Sequence, residues 1–225
     1  MHTQEFTPDI TTVGSFTSLA SISDLAEEQG VYSASPEFVK SNCGPIANSI
    51  LDQIPDSFYT EADEAGLFVN IDVRVHRLYK GDYPAYPGWH CDGEYRETYK
   101  SQPDLSRVVP HKHLVGTVST EPDGVSLTQF VSEPVTVTIG DVSEIDTLWG
   151  QVHNQIEQLD PATVWTADGD LTQFGSFTLH RATPAVTRGW RLFFRASMWH
   201  KPYLGDGGMI SRQEQIYQIL EGKGW

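Results

Sequence analysis

Residues 68–79 read Phe68-Val69-Asn70-Ile71-Asp72-Val73-Arg74-Val75-His76-Arg77-Leu78-Tyr79. Val69, Ile71, Val73 and Val75 fall on one side of an extended chain, and Asn70, Asp72, Arg74 and His76 fall on the other. A period of two sustained over this length predicts a β-strand. A second run, residues 190–200, behaves the same way. Leu192, Phe194, Ala196 and Met198 form a packing face, while Arg191, Phe193, Arg195, Ser197 and Trp199 form the other. Two arginines and two aromatics make an odd solvent surface. They suit the inner wall of a cavity that binds an acid, because the guanidinium fork grips a carboxylate bidentately.

Further strands are expected at Leu114–Thr120, Val125–Val131, Val135–Ile139 and Ser176–His180, with Pro and Gly punctuating the gaps. Helices are expected over 21–28, from the Ser35-Pro36-Glu37 start, over 44–54, over 145–159 and over 213–220. Residues 1–18 read as an irregular or extended lead-in. Short strands with few helices predict a mainly β chain, a sandwich or jelly roll with flanking helices. There is no alternating βαβ pattern, no G-x-G-x-x-G and no P-loop. One domain is expected over 1–225: a helical or irregular extension (1–60) packed on a core (68–200), then a C-terminal helix (210–222).

The composition is globular, with 39% hydrophobic and 11% aromatic residues. A net charge of −15 repels phosphate backbones, so nucleic acid is an unfavourable partner. A small neutral or cationic substrate suits that charge better than a macromolecule. The two cysteines, Cys43 and Cys91, are too few for a disulfide framework and lack zinc-ribbon spacing. Reduced thiols, the polar start of the chain and the lack of a membrane-length apolar run predict a cytoplasmic protein.

The chemistry lies in three pieces. His90-Cys91-Asp92 presents an imidazole and a carboxylate on one side of an extended segment, with Cys91 facing away. His180 ends the run Ser176-Phe177-Thr178-Leu179, on the side opposite the apolar Phe177 and Leu179. Arg191 and Arg195 follow on one strand face. Two His and one carboxylate on one face of a metal leave adjacent positions open, which suits non-haem Fe(II) and O₂.

With these pieces assembled, the sequence resembles the Fe(II)/2-oxoglutarate-dependent oxygenase family. The likeness is carried by Gly169-Asp170-Leu171-Thr172-Gln173-Phe174, by His180-Arg181-Ala182-Thr183-Pro184 and by Val186-Thr187-Arg188-Gly189-Trp190-Arg191. Upstream, Tyr79-Lys80-Gly81 followed by His90-x-Asp92-Gly93 resembles the approach to the family's first ligand pair. The resemblance covers residues 68–200 and implies a double-stranded β-helix, a cupin-like jelly roll. It implies His90, Asp92 and His180 as iron ligands, Arg191 as the anchor of 2-oxoglutarate and Tyr79 beside that co-substrate. Arg195, on the same face as Arg191, could hold the co-substrate, bind an acid of the substrate or pair with a carboxylate. Where the family often has a small hydroxyl residue two places after the arginine, this chain has Phe193, which would either remove that hydrogen bond or pass it to Thr178 or Tyr79. Retention of Asp92 implies hydroxylation or a related oxidation, since related halogenases have a small residue there.

Two other readings stay open at this level. A metal-silent jelly roll could bind an anion through Arg191 and Arg195. A cupin-type metal enzyme could use His111 and His113, although the glutamate that pattern wants is missing from Leu114-Val115-Gly116-Thr117.

Overall fold

The computed structural model describes residues 1–92, 102–106, 111–143, 147–211 and 216–218. In chain order the elements are β1 (His2–Phe6), β2 (Ile10–Ser15), α1 (Ile22–Ala26), β3 (Val31–Ala34), α2 (Pro36–Asn42), α3 (Pro45–Leu51), α4 (Asp56–Glu64), β4 (Phe68–Leu78), β5 (Lys112–Ser119), β6 (Thr128–Val131), β7 (Val135–Ile139), α5 (Leu148–Leu159), β8 (Thr163–Trp165), β9 (Asp170–Gly175), β10 (His180–Ala182), β11 (Gly189–Trp199) and β12 (Met209–Ile210).

The two alternating runs are the centre of the fold. β4 and β11 pair antiparallel along their whole length, from Phe68 opposite Trp199 to Leu78 opposite Gly189. β5 lies on the other side of β11, and the full sheet runs β12-β3-β4-β11-β5-β9-β2. A three-stranded sheet, β10-β6-β8, faces it, and β1 pairs with β7. The architecture is mainly β and of jelly-roll type, with helices packed outside it.

The two faces of β11 have separate duties. Leu192, Phe194, Ala196 and Met198 join Ile71 and Val73 of β4 in one buried cluster under α1 to α4. The helices meet that face with Leu25, Val39, Ile50 and Phe58. Each fully buried side chain of this size contributes about 1.5–3 kcal/mol. The other face looks inward: Val115, Phe130 and Phe174 pack between the sheets, with Phe193 against them.

Local chemistry sets the helix starts. Ser35 caps α2 by accepting from the Phe38 N–H, with Pro36 behind it. At α3 the cap is borrowed: the buried Glu28 carboxylate accepts from the Gly44 and Ile46 N–H groups.

Several boundaries differ from expectation. Residues 1–18, expected to be irregular or extended, are extended over β1 and β2, and beyond that expectation they join sheets, β1 with β7 and β2 with β9. Their polar, threonine-rich sequence gave no hydrophobic alternation to read. β3, β8 and α4 were likewise unforeseen. The strand expected over 125–131 starts only at Thr128, and the span expected as a strand over 176–180 is mostly the turn between β9 and β10, with only His180 in a strand. That turn closes where the Thr178 N–H donates to the Gly175 carbonyl at 3.1 Å. The C-terminal helix expected over 210–222 lies largely outside the described residues. Where described, the chain is extended: Met209–Ile210 is a strand, and Tyr217 exchanges both backbone hydrogen bonds with Tyr83. Pairing with distant backbone has overridden local preference there. No described helix is long and apolar enough to cross a membrane.

Phe194 is fully buried at the centre of the main cluster. Phe194→Ala should lower unfolding free energy by about 3–5 kcal/mol in urea titration; a loss under about 1 kcal/mol would contradict this account of the core.

Candidate functional site

His90 and His180 are joined by their backbones. The His90 N–H donates to the His180 carbonyl at 3.1 Å, and the His180 N–H donates to the His90 carbonyl at 2.9 Å. This antiparallel bridge sets the two imidazoles side by side, with ring centroids 4.6 Å apart. Each ring is then oriented by a carbonyl two residues before it. His90 Nδ1 lies 2.7 Å from the Gly88 oxygen, and His180 Nδ1 lies 3.0 Å from the Thr178 oxygen. A carbonyl only accepts, so Nδ1 carries a proton in both rings, and Nε2 is the nitrogen left to meet other partners. Metal-ligating histidines are commonly fixed in this way.

Glycine makes this geometry possible at residue 88. A Cβ there would fall 2.6 Å from the Tyr86 ring. Tyr86 in turn stands edge-on to His90, with centroids 5.3 Å apart.

Asp92 completes the group. Its Oδ2 lies 3.5 Å from His180 Nε2, and one ligand atom from each of His90, Asp92 and His180 lies within 4.8 Å of the others. Burial would raise the Asp92 carboxyl, but the Arg195 guanidinium and His180 outweigh it and hold it well below the usual range. Burial, with His180 beside it, pushes His90 down to about 4. At neutral pH the cluster is therefore a carboxylate and a neutral His90 imidazole beside the second ring.

A brace stands behind the two histidines. Glu157 of α5 accepts from Trp89 Nε1 and from Arg181 Nη1, each at 2.8 Å. The Arg181 guanidinium lies 4.3 Å from the Trp89 ring centre. The chain neighbours of both histidines are thus tied to one helix. Cys91 is buried on the side away from the cluster, among Trp89 and Leu179.

Arg191 is 3% exposed. Its Nη1 donates to the Ser126 carbonyl at 2.5 Å and to Ser126 Oγ at 3.2 Å, and its Nε has no hydrogen-bond partner. No described carboxylate forms an ion pair with it. Burial pushes this guanidinium down to about 10, opposed by Asp168. The ring of Phe193 lies 5.2 Å from the Arg191 guanidinium carbon. Phe193 packs against the cluster of Val115, Phe130 and Phe174, and the two phenylalanine rings of that cluster flank His180. One aromatic cluster therefore joins the arginine to the histidine.

Two sequence assignments are corrected. Tyr79 is 51% exposed, with the guanidinium groups of Arg77 and Arg188 over its ring, so it stands outside the cavity. It sits just past the end of β4, where the inward alternation no longer applies. Arg195 is not free to anchor a co-substrate: Nη1 donates to Asp92 Oδ2 at 2.8 Å and Nη2 to Asp72 Oδ2 at 2.6 Å. Thr178 cannot replace the missing hydroxyl either, because its Oγ accepts from the Asp9 N–H.

His111 and His113 are both buried, with ring centroids 6.4 Å apart. No third ligand joins them among the described residues. His113 Nδ1 pairs with Ser197 Oγ at 2.9 Å and its ring stacks on Phe174. A cavity of about 680 Å³ is lined by Tyr83, Ser126, Gln129, Trp165 and Arg181 among others; it shares Ser126 with Arg191, but none of the three converging residues lines it.

Asp72 was missed as a site residue. Its position on the inward face of β4 was legible, but its place directly opposite Arg195 comes only from the β4–β11 register. Glu157 gave no sequence signal, since only the packing of α5 brings it to Trp89 and Arg181.

No family model matches this chain, and no curated protein does. Solved structures resemble it distantly. AviO1 of Streptomyces viridochromogenes Tue57 is 11% identical with a TM-score of 0.43, over 87% of this chain and 91% of that one. ThoJ, a non-heme monooxygenase in a nickel complex, is 14% identical with a TM-score of 0.42, over 92% and 81%. EvdMO1 is 14% identical with a TM-score of 0.35 over 62% of this chain, which spans 30% of EvdMO1's length.

The buried histidines set the acid limb of stability. Burial, then Arg191, pushes His76 down to about 3, and burial pushes His113 down to about 3. A depressed folded pKa means full stability above the unfolded value of about 6.5, lost as pH falls towards 3. Unfolding free energy should drop by up to about 2 kcal/mol per imidazole between pH 7.5 and 5, read in urea titrations. The same stability at both pH values would contradict neutral burial of these rings.

Proposed function

We propose that this chain is a non-haem Fe(II)- and 2-oxoglutarate-dependent oxygenase acting on a small molecule. The observation that carries the reading is the convergence of one ligand atom each from His90, Asp92 and His180, with the Nδ1 of both imidazoles turned to a backbone carbonyl. Two nitrogens and one oxygen fit Fe(II). Such a donor set leaves positions for a chelating diacid and O₂. The aliphatic and aromatic lining strengthens every charge interaction in the site.

Arg191 supports the second half of the reading. An interior guanidinium whose hydrogen bonds, among the described residues, go to Ser126 alone is costly, and an anionic ligand offsets that cost. Bound iron would supply the oxygen chemistry: one O₂ is divided between 2-oxoglutarate, which becomes succinate and CO₂, and the substrate, which gains a hydroxyl. The chain's own tasks are simpler. His90, Asp92 and His180 hold the metal on one face, Arg191 and Ser126 orient the diacid, and Phe130, Phe174 and Phe193 keep water from the space between. The charge of −15 favours a neutral or cationic substrate.

Asp92→Ala should abolish iron-dependent consumption of 2-oxoglutarate while circular dichroism stays that of the parent. Parent-rate consumption by this variant would remove the metal assignment. Arg191→Met should raise the KM for 2-oxoglutarate about 10–100-fold, the value of a lost charge-assisted hydrogen bond. An unchanged KM would assign the anion to another residue.

A further inference from the structure

The Arg195 side chain joins two acids. One is Asp92, in the candidate metal cluster; the other is Asp72, which the proposed reaction does not use. Arg195 stands directly across from Asp72 in the β4–β11 register, so backbone pairing fixes their approach. Asp72 is itself held at its other oxygen: Oδ1 accepts from the Ser33 N–H at 2.9 Å. Ser33 has a φ of 47°, the left-handed region that costs a non-glycine residue about 1–2 kcal/mol. It lies where the β3–β4 register shifts between Val31 and Ala34. Bulges of this kind re-aim groups next to functional sites. Here the irregularity aims a backbone donor at Asp72.

The charges add a second observation. The Arg195 contact falls on Asp92 Oδ2, the oxygen that also lies 3.5 Å from His180 Nε2. A carboxylate oxygen has two lone pairs, so one can accept the guanidinium while the other faces a cation. An arginine wholly committed to Asp92 would neutralise that acid and repel a divalent cation. Asp72 takes a share of the guanidinium, and the three groups together keep one net negative charge for the cation to meet.

We propose that Asp72 is a positioning residue acting through Arg195. The chain Ser33 N–H, Asp72, Arg195, Asp92 fixes the rotamer of the acidic ligand and sets how strongly it attracts the metal. This rests on the reading of His90, Asp92 and His180 as a metal site. Partners of metal ligands typically change affinity about 10–100-fold when lost.

The test uses the full chain and Mn(II), followed by calorimetry, with the Co(II) visible spectrum as a second readout. The parent should take up one equivalent of Mn(II), and Asp92→Ala should not. Failure of that pair of results overturns the metal site itself. Asp72→Asn keeps the Ser33 contact but removes the charge. It should bind Mn(II) about 10–100-fold more weakly and shift the Co(II) spectrum, which a merely structural role would leave unmoved. Arg195→Lys, whose ammonium cannot fork between two acids, should lose affinity in the same direction. Parent-like Mn(II) affinity and Co(II) spectrum in either variant, beside a parent that binds, overturns the relay alone.

Discussion

Two peptide groups far apart in sequence, at His90 and His180, exchange both of their hydrogen bonds, and the candidate site depends on that exchange. Antiparallel pairing of this kind fixes the distance between two backbones to within a few tenths of an ångström. It therefore fixes where two side chains start. The carbonyls of Gly88 and Thr178 then choose the tautomer and rotation of each ring. Everything else is arranged to protect this small piece of sheet. β6 pairs β10 on one side, and the Glu157 brace holds the chain from behind.

The interior between the sheets holds more charge than an apolar core tolerates, and two arginines manage it differently. Arg195 is compensated twice, by Asp72 and by Asp92. Arg191 is compensated by no described carboxylate, only by the Ser126 oxygens. The first arrangement is complete within the described residues; in the proposed function a ligand carrying negative charge completes the second. Three residues separate the two arginines along one strand, an even spacing of four positions, so both look inward from the same side. Phe193 stands between them in sequence and covers the Arg191 guanidinium with its ring.

Much of this was legible in the sequence. The strict alternation of residues 68–79 and 190–199 marked β4 and β11, and their sorted faces marked which side met helices and which met the cavity. The i, i+2 spacing of His90 and Asp92 placed both on one side of an extended segment, as found. Other features were hidden for physical reasons. β1 and β2 are built from polar and β-branched residues whose partners supply the apolar side, so no local period announced them. His180 was read as the end of one strand, yet it opens a new one after a turn. Tyr79 shares a sequence position with useful residues elsewhere but lies past the end of β4, facing solvent. The role of Arg195 needed the register, because only the pairing of Arg195 with Asp72 shows which acid it meets first.

The most direct test of the account is an anaerobic absorption spectrum of the full chain with Fe(II) and 2-oxoglutarate added in turn. The account predicts a weak visible charge-transfer band that requires both additions, is lost in His180→Ala and needs a far higher 2-oxoglutarate concentration in Arg191→Met. A spectrum unchanged by 2-oxoglutarate, or a band that survives His180→Ala, would contradict it.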